Sequence, residues 1–292
     1  MAALDLMREL SKDALENMSA CPVCGTALRV SDDAKSLICK NRHCFDGASS
    51  GYVSLVQKGG GGDSKEAVAA RKSFLGKGYY QPAAMTLCDI VCELVPKGGR
   101  IVDAGCGEGY YSNLIAEEGY TVFGADISKF AADSASKGAR QSRMARNIDE
   151  STTLFSVASV FELPLRDGCA DCVVNIFAPC CAEEYARVIK SGGYLIVAAA
   201  GEDHLLGMKR VIYDNAYLND TRKDLPTDEL FELVERRNRS FDITVEGKEG
   251  IEALFSMTPY YWRTGSSDKA RLSALNTLTT NVSFDYYIYK RK

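Results

Sequence analysis

Three cysteines and a histidine near the start of the chain have the spacing of a metal site. Cys21 and Cys24 are separated by two residues, and Cys39 is followed by His43 with three residues between them. Two thiolates at this spacing can bind one ion from a tight turn, and a second pair returned by a hairpin would complete a tetrahedral zinc site. The residues between the pairs have β-prone flanks around Ser31-Asp32-Asp33, which predicts that hairpin.

Residue types alone do not identify the fourth ligand, because Cys44 follows His43 directly and could replace it. Free cysteines without metal are the alternative interpretation of the whole set. With four protein ligands no coordination position is left for a substrate, so the ion would be structural. So short a segment cannot bury a core by itself, and metal binding would hold it together.

A second constellation follows about sixty residues later. Asp103 ends a short apolar run, and glycines come at every second position, as Gly105, Gly107 and Gly109, before a helical pattern begins. This predicts strand, tight turn and helix, with backbone exposed where a ligand would lie. The nicotinamide fingerprint needs a third glycine where this chain has Tyr110. The spacing instead resembles the first motif of class I S-adenosylmethionine methyltransferases; a generic glycine-rich turn is the alternative.

Asp126 ends the next predicted strand and is a candidate partner for the ribose of an adenosine. A carboxylate there can accept both ribose hydroxyls, as acids do in dinucleotide folds. Its alternative role is to cap the helix that begins near Lys129. The strand ending at Asn175 lacks the Asn/Asp-Pro-Pro-aromatic tetrapeptide of enzymes that methylate exocyclic amines, which argues against an amine acceptor.

The elements needed to position these groups alternate between strand and helix from residue 100 onward, then end in two strand-like segments. This predicts an α/β fold: a Rossmann-like, doubly wound class I methyltransferase sheet closed by an antiparallel hairpin, with ligands at the carboxyl ends of its strands. We divide the chain into an N-terminal helical extension (1–20), a zinc-binding module (21–57), a linker with helices (58–98) and the methyltransferase domain (99–292).

Composition and charge limit the classes of protein to which the chain can belong. The chain has 292 residues, a formal net charge of −4 and no apolar run near the roughly 20 residues that span a bilayer. Its N-terminus lacks the features of a secretory signal, so we expect a cytoplasmic protein without membrane contact. Any nucleic-acid contact must come from a local basic surface. The helix that carries Arg71, Lys72 and Lys77 is one such segment, and a solvated face explains its charges equally well.

The combination of the two constellations resembles the bacterial 23S rRNA (guanine-N1-)-methyltransferases, which join a C-x2-C…C-x3-H zinc module to a class I methyltransferase domain. The resemblance covers nearly the whole chain from residue 21, and the 20-residue extension has no counterpart in it. It is carried by these stretches: CPVC, ICKNRHCFDGASSGYVSL, GDSKEAVAARKSFLGKGYYQP, VDAGCGEGYYS, FGADISK, FAPCCAEEYARVIKSGG, HLLGMKRVIYD and SMTPYYWR.

The resemblance implies structural zinc with His43 as the fourth ligand, beside the three cysteines. It implies S-adenosylmethionine against Tyr80, Gly107, Glu108 and His204. It also implies a homodimer whose zinc modules flank a cleft for a 23S rRNA hairpin, and methylation at guanine N1. A small-molecule methyltransferase with a zinc lid and a zinc-dependent RNA-binding protein with a degenerate domain are the alternatives.

The target guanine would be unpaired or flipped out, and aromatic side chains would be its natural partners. The sequence offers four aromatic residues that could stack on the guanine and does not rank them. Packing in the core is the alternative role for each. No residue stands out as the base that removes the N1 proton. The candidates are Tyr79, Phe177, Tyr260 and Trp262.

Overall fold

An eight-stranded sheet runs through the protein, which the computed structural model describes over residues 11–56, 61–220, 225–226 and 229–292. A separate three-stranded sheet lies near the start of the chain. The strands are β1 (Leu28–Val30), β2 (Ser36–Cys39), β3 (Cys44–Asp46), β4 (Val53–Ser54), β5 (Arg100–Ala104), β6 (Thr121–Asp126), β7 (Thr153–Val157), β8 (Ala170–Ile176), β9 (Ile189–Ala200), β10 (Phe231–Glu246) and β11 (Thr277–Arg291). The helices are α1 (Lys65–Leu75), α2 (Gln81–Leu94), α3 (Tyr110–Glu117), α4 (Lys129–Ala145), α5 (Ala182–Val188), α6 (Leu206–Ile212), α7 (Lys248–Ser256), α8 (Tyr260–Arg263) and α9 (Ser266–Ser273).

The large sheet has the strand order β10-β11-β9-β8-β5-β6-β7-β4. Strands β4 to β9 pair in parallel, and β10 and β11 add an antiparallel hairpin at one edge. The central strands are almost wholly buried, as expected for a parallel sheet covered on both faces. The predicted doubly wound sheet with a closing hairpin is confirmed. Its order reverses between β5 and β8, and ligands bind at such a switch point.

Two predicted boundaries are wrong. The sequence pattern predicts a helix over 182–190 and a turn at 191–193, but the helix ends at Val188 and residues 191–193 belong to β9. The strand begins early because Ile189 pairs with Ala170, and a Cβ on Gly193 would lie 2.7 Å from the carbonyl oxygen of Asp171. The two closing strands, predicted over 241–246 and 284–289 from their alternation, are also longer in the structure. The alternation does not reveal the rest of β10, because that strand is mostly exposed while its backbone pairs with β11.

The segment that carries the cysteine pairs is joined to the large sheet at several points. The backbone N–H of Ala20 donates to the carbonyl of Pro164 at 2.8 Å, and that of Arg166 donates to Met18 at 2.9 Å. Further along, β4 extends the sheet by pairing with β7. The small sheet is therefore tied to the β7 side of the large one, and our division of the chain into four segments stays a prediction.

The predicted N-terminal helix is only partly within the described chain, because residues 1–10 lie outside it. Its remainder ends in a single π-helical turn at Ala14–Met18. Asp13 forms an ion pair of 2.9 Å with Arg100 at the start of β5. In the described chain, no helix combines the length and apolar character needed to cross a membrane.

The glycines at the two ends of α3 test how tightly the fold constrains the glycine turn. Gly109 and Gly119 have φ of +82° and +91°, but a Cβ on Gly109 would lie 2.7 Å from Ala135 Cβ, whereas one on Gly119 meets nothing within 4 Å. We expect Gly119→Ala to cost about 1–2 kcal/mol from backbone strain alone. Gly109→Ala should cost a further 1–3 kcal/mol or so from overpacking. Urea unfolding of the two variants measures the difference, and equal losses would contradict it.

Candidate functional site

The glycine turn after β5 lies at the switch point of the sheet. Gly105, Gly107 and Gly109 have φ of +85°, +56° and +82°, a region that favours glycine. A Cβ on Gly105 would lie 2.5 Å from the Cβ of Ala178, so the turn that follows β8 packs directly against the glycine turn. The two turns together form the floor of the site.

Two acidic side chains beside this turn are buried and incompletely bonded. Asp103 Oδ2 accepts a hydrogen bond from the Ser112 hydroxyl, but Asp103 Oδ1 and Glu108 Oε2 have no hydrogen-bond partner within the described residues. Burial raises the pKa of Asp103 to about 7, and the nearby carboxylates Asp126 and Glu108 add to that effect. Burial also raises the pKa of Glu108, against the opposing charge of Arg71. A cationic, hydrogen-bonding ligand would satisfy both groups.

Asp126 ends β6 beside the same turn. Its Oδ2 accepts the N–H of Gly107 at 2.9 Å, and its Oδ1 accepts the N–H of Ser128 at 2.8 Å. The helix-cap alternative does not hold, because Ser128 is the N-cap of α4 and its Oγ accepts the N–H of Ala131. Each carboxylate oxygen keeps a second lone pair for a ligand hydroxyl.

Arg71 is a site residue whose role the sequence interpretation missed. It pairs with Asp63, and its Nη1 lies 3.8 Å from Glu108 Oε2, with only 26% of its side chain exposed. It is therefore neither a solvated charge nor free to contact RNA. Helical spacing could have indicated that Arg71 faces the interior, because it follows Val68 by three residues and precedes Leu75 by four. Val68 and Leu75 are both buried.

A group of aromatic rings lines the other side of the switch point. The His204 ring centroid lies 6.0 Å from that of Tyr80 and 5.6 Å from those of Phe177 and Phe284. His204 Nδ1 accepts the N–H of Ser283 at 3.2 Å, so the proton of the neutral ring is on Nε2. Burial lowers the pKa of His204 to about 4. Near neutral pH this histidine is thus a hydrogen-bond donor and not a proton acceptor.

The four aromatic stacking candidates have different surroundings. Tyr79 stacks on Phe74 with ring centroids 4.8 Å apart, and Tyr260 is buried with its hydroxyl donating to Asn219. The side chain of Trp262 lies outside the described part of the structure. Phe177 is 49% exposed at the carboxyl end of β8.

The predicted metal ligands lie close together beside the small sheet. Cys21 Sγ and Cys39 Sγ each lie 3.4 Å from His43 Nδ1, and Cys24 Sγ lies 3.7 Å from Cys39 Sγ. All four ligand atoms lie within 4.8 Å of one another. Bonds of about 2.1–2.3 Å to a central zinc would give a tetrahedron with edges near 3.5–3.8 Å, so the set fits zinc. Cys44 is exposed and outside the cluster, which favours His43 as the fourth ligand.

Comparisons with known proteins agree with both parts of this structure. A family model described as "Methyltransferase domain" matches residues 102–197, and one described as "RlmA, N-terminal", a zinc ribbon, matches residues 19–58. A Streptomyces fradiae protein named 23S rRNA (guanine(748)-N(1))-methyltransferase is 30% identical over 284 residues, which cover 90% of this chain and 94% of that protein. A Micromonospora griseorubida protein, provisionally named 23S rRNA (guanine-N(1)-)-methyltransferase, is 31% identical over 281 residues, with coverage of 87% and 89%.

The fold, the glycine turn and the zinc cluster define a class I S-adenosylmethionine-dependent methyltransferase with an N-terminal zinc ribbon. The similarity to the Streptomyces fradiae protein extends over nearly the whole length of both chains, so it identifies a family within that class. The chain belongs to the 23S rRNA (guanine-N1-)-methyltransferase family.

The residues beside the glycine turn fit S-adenosylmethionine, which carries a sulfonium and an ammonium group. Three carboxylates interact with a single guanidinium here, and the carboxyl of Asp103 interacts with two of them. Two oxygens of this acidic group are buried without a partner among the described residues. Cationic groups are attracted to such a set, and the ribose hydroxyls can donate to it. The three carboxylates are those of Asp63, Glu108 and Asp126, and the guanidinium is that of Arg71.

Zinc content tests the fourth ligand directly. We expect His43→Ala to lower the bound zinc and the thermal stability, because removing one ligand opens a structural site. Cys44→Ser should keep full zinc, because Cys44 is exposed and outside the cluster. Elemental analysis and chelator competition measure both variants. Zinc loss in Cys44→Ser with retention in His43→Ala would reverse the assignment.

The buried carboxyl of Asp103 should leave a signature in the pH dependence of stability. Its folded pKa of about 7 lies above the ordinary 3.8, so the folded state holds this proton where the unfolded state has released it. The contribution of Asp103 to stability should therefore fall as pH rises from about 4 to 7, by at most about 1.4 kcal/mol per pH unit.

Asp103→Asn should remove this contribution and flatten the slope, as measured by urea unfolding at several pH values. Asp32→Asn is the matched control, because its carboxyl is 99% exposed. The same slope in wild type and Asp103→Asn would contradict the assignment.

Proposed function

We propose that the protein transfers a methyl group from S-adenosylmethionine to N1 of a guanine in a hairpin loop of 23S rRNA. One observation carries this: a protein named for guanine N1 methylation of 23S rRNA is 30% identical over 90% of this chain. That match spans both the zinc ribbon and the methyltransferase domain. The described donor site supports the same reaction, because its acidic and glycine-rich floor suits the cationic donor.

We further propose where the donor lies. Asp126 would accept the ribose hydroxyls, and Asp103 and Glu108 would face the amino-acid end. The glycine turn would pass beneath the ligand, since Gly105, Gly107 and Gly109 present backbone there. Tyr80 and His204 would contact the donor from the aromatic side, with His204 Nε2–H as a hydrogen-bond donor.

When bound, S-adenosylmethionine supplies an activated methyl group on a positively charged sulfur. Transfer would replace the donor's C–S bond with an N1–C bond, leave the sulfur electron pair on the neutral product, and release the N1 proton to solvent. The protein's contribution is mainly to hold nucleophile, carbon and sulfur in line. Because N1 is hidden in a base pair, the guanine must come from a loop or be flipped out. His204 does not accept the N1 proton near neutral pH, because its Nδ1 is already hydrogen-bonded and its Nε2 is protonated.

We propose that two copies act together, with their zinc ribbons flanking a cleft for the rRNA hairpin. The family resemblance supports this arrangement. The formal net charge of −4 also requires that RNA be held by local surfaces and not by the charge of the whole protein. Sedimentation of the purified protein with and without a hairpin RNA tests the assembly.

A methyl-transfer assay separates the candidate functions. Undermethylated 23S rRNA is incubated with radiolabelled S-adenosylmethionine and digested to nucleosides, and we expect label in 1-methylguanosine. Tight cofactor binding without labelled RNA would point to a small-molecule acceptor. Absence of cofactor binding would point to an RNA-binding protein with a degenerate domain.

Asp126→Ala is the matched inactive control for that assay. We expect it to lose most of the cofactor affinity and the RNA label, because the ribose partner is removed and the Gly107 N–H loses its acceptor. Zinc content should stay unchanged, because the metal cluster is built from other residues. Loss of zinc in this variant would contradict two separate sites.

A further inference from the structure

The turn that follows β8 holds an aromatic ring in an unusual backbone conformation. Phe177 has φ of +52°, a left-handed conformation that is unfavourable for a residue with a Cβ. Such strain persists only where surrounding contacts impose it, and it is common at functional sites. The Phe177 N–H donates to the carbonyl of Ala198 in β9 at 3.1 Å, so the start of the turn is fixed to the sheet.

Two buried polar side chains hold the other end of the turn. The Asn175 amide and the Tyr185 hydroxyl both donate to the carbonyl oxygen of Pro179 at 3.0 Å, and the amide also contacts the hydroxyl at 2.9 Å. Both side chains are almost fully buried, at 1% and 0% exposure. A polar network this deep in the sheet gives the turn one well-defined position. The ring that the turn carries is thus preorganised.

The ring lies between the donor floor and the aromatic group, yet it is half open to solvent. The next residue, Ala178, packs against Gly105 of the glycine turn. The Phe177 ring packs against Phe284 and His204, with ring centroids 4.8 Å and 5.6 Å away. The 49% exposure of Phe177 leaves apolar ring surface available at the switch point. Burial of such a ring by a flat ligand is favourable.

We propose that Phe177 is the platform on which the target guanine stacks when it enters the site. This proposal rests on the proposed function. A guanine presented edge-on to the donor needs a flat apolar surface beside the methyl group, and base–aromatic stacking provides it without competing for the N1 edge. Of the aromatic candidates with described side chains, Tyr79 is already stacked on Phe74 and Tyr260 is buried. Phe177 is therefore a residue that positions the acceptor.

Another exposed ring at the same edge provides a control. Phe161 is 60% exposed and follows β7, which is three strands away from β8 in the sheet. At about 4.8 Å per strand, β7 and β8 are roughly 14 Å apart. A substitution there removes a similar exposed ring without touching the proposed platform.

The test compares Phe177→Leu with Phe177→Tyr, and Phe161→Leu with wild type. We expect Phe177→Leu to lower kcat/KM for undermethylated 23S rRNA by about tenfold or more, because the aromatic face is lost. Phe177→Tyr should keep most of the activity, and Phe161→Leu should lose less than Phe177→Leu. The Kd for S-adenosylmethionine, from titration calorimetry, and the Tm should stay near wild-type values in Phe177→Leu, because bulk and backbone strain are kept.

A binding readout separates stacking from turnover. Phe177→Trp adds a second tryptophan to a chain that has one, and RNA binding should quench the added fluorescence relative to wild type. Unchanged kcat/KM in Phe177→Leu, or an equal loss of cofactor affinity, would overturn the platform role. A wild-type enzyme that forms no 1-methylguanosine would instead overturn the proposed function, and this inference with it.

Discussion

The hydrogen bond from the Gly107 N–H to the Asp126 carboxylate is the contact on which the site depends. It ties the glycine turn after β5 to the end of the neighbouring strand β6. On one side of this contact, Gly105 packs against the turn after β8, and on the other, Gly109 packs against α4. A side chain at either glycine would separate elements that must meet. The donor floor is therefore a consequence of close backbone packing at the switch point of the sheet.

Charge gives this floor its chemical preference. Three carboxylates interact with one guanidinium, and a fourth, Asp103, interacts with two of them. Burial makes negative charge on Asp103 and Glu108 costly when no cation is bound. A donor with a sulfonium group placed here, as we propose, would relieve that cost, and loss of the methyl group would remove the positive charge on sulfur. The same field that favours the donor therefore favours it over its product. The aromatic side of the switch point is different, since neutral rings surround His204 and Phe177 there.

Much of this arrangement could be predicted from local patterns. The cysteine pairs, the zinc hairpin, the glycine turn and the position of Asp126 depend on short spacings, because each is set by residues close together in the chain. The role of Arg71 could not be predicted from a local pattern, because its partners Asp63 and Glu108 lie on different segments. The early start of β9 was also missed, because it results from pairing of Ile189 with a strand distant in sequence. The assignment of individual side chains to the cofactor stays a prediction.

The sequence by itself determined the two modules, the class of cofactor and, through its resemblance to one family, the reaction. It could do so because metal ligands and glycine turns require particular residue types at fixed spacing. Only the tertiary structure decided which aromatic ring faces the open site, which tautomer His204 adopts and where Arg71 points. Those properties arise from contacts such as Ser283 with His204 and Asn175 with Pro179. Long-range packing creates them, and no local pattern records it.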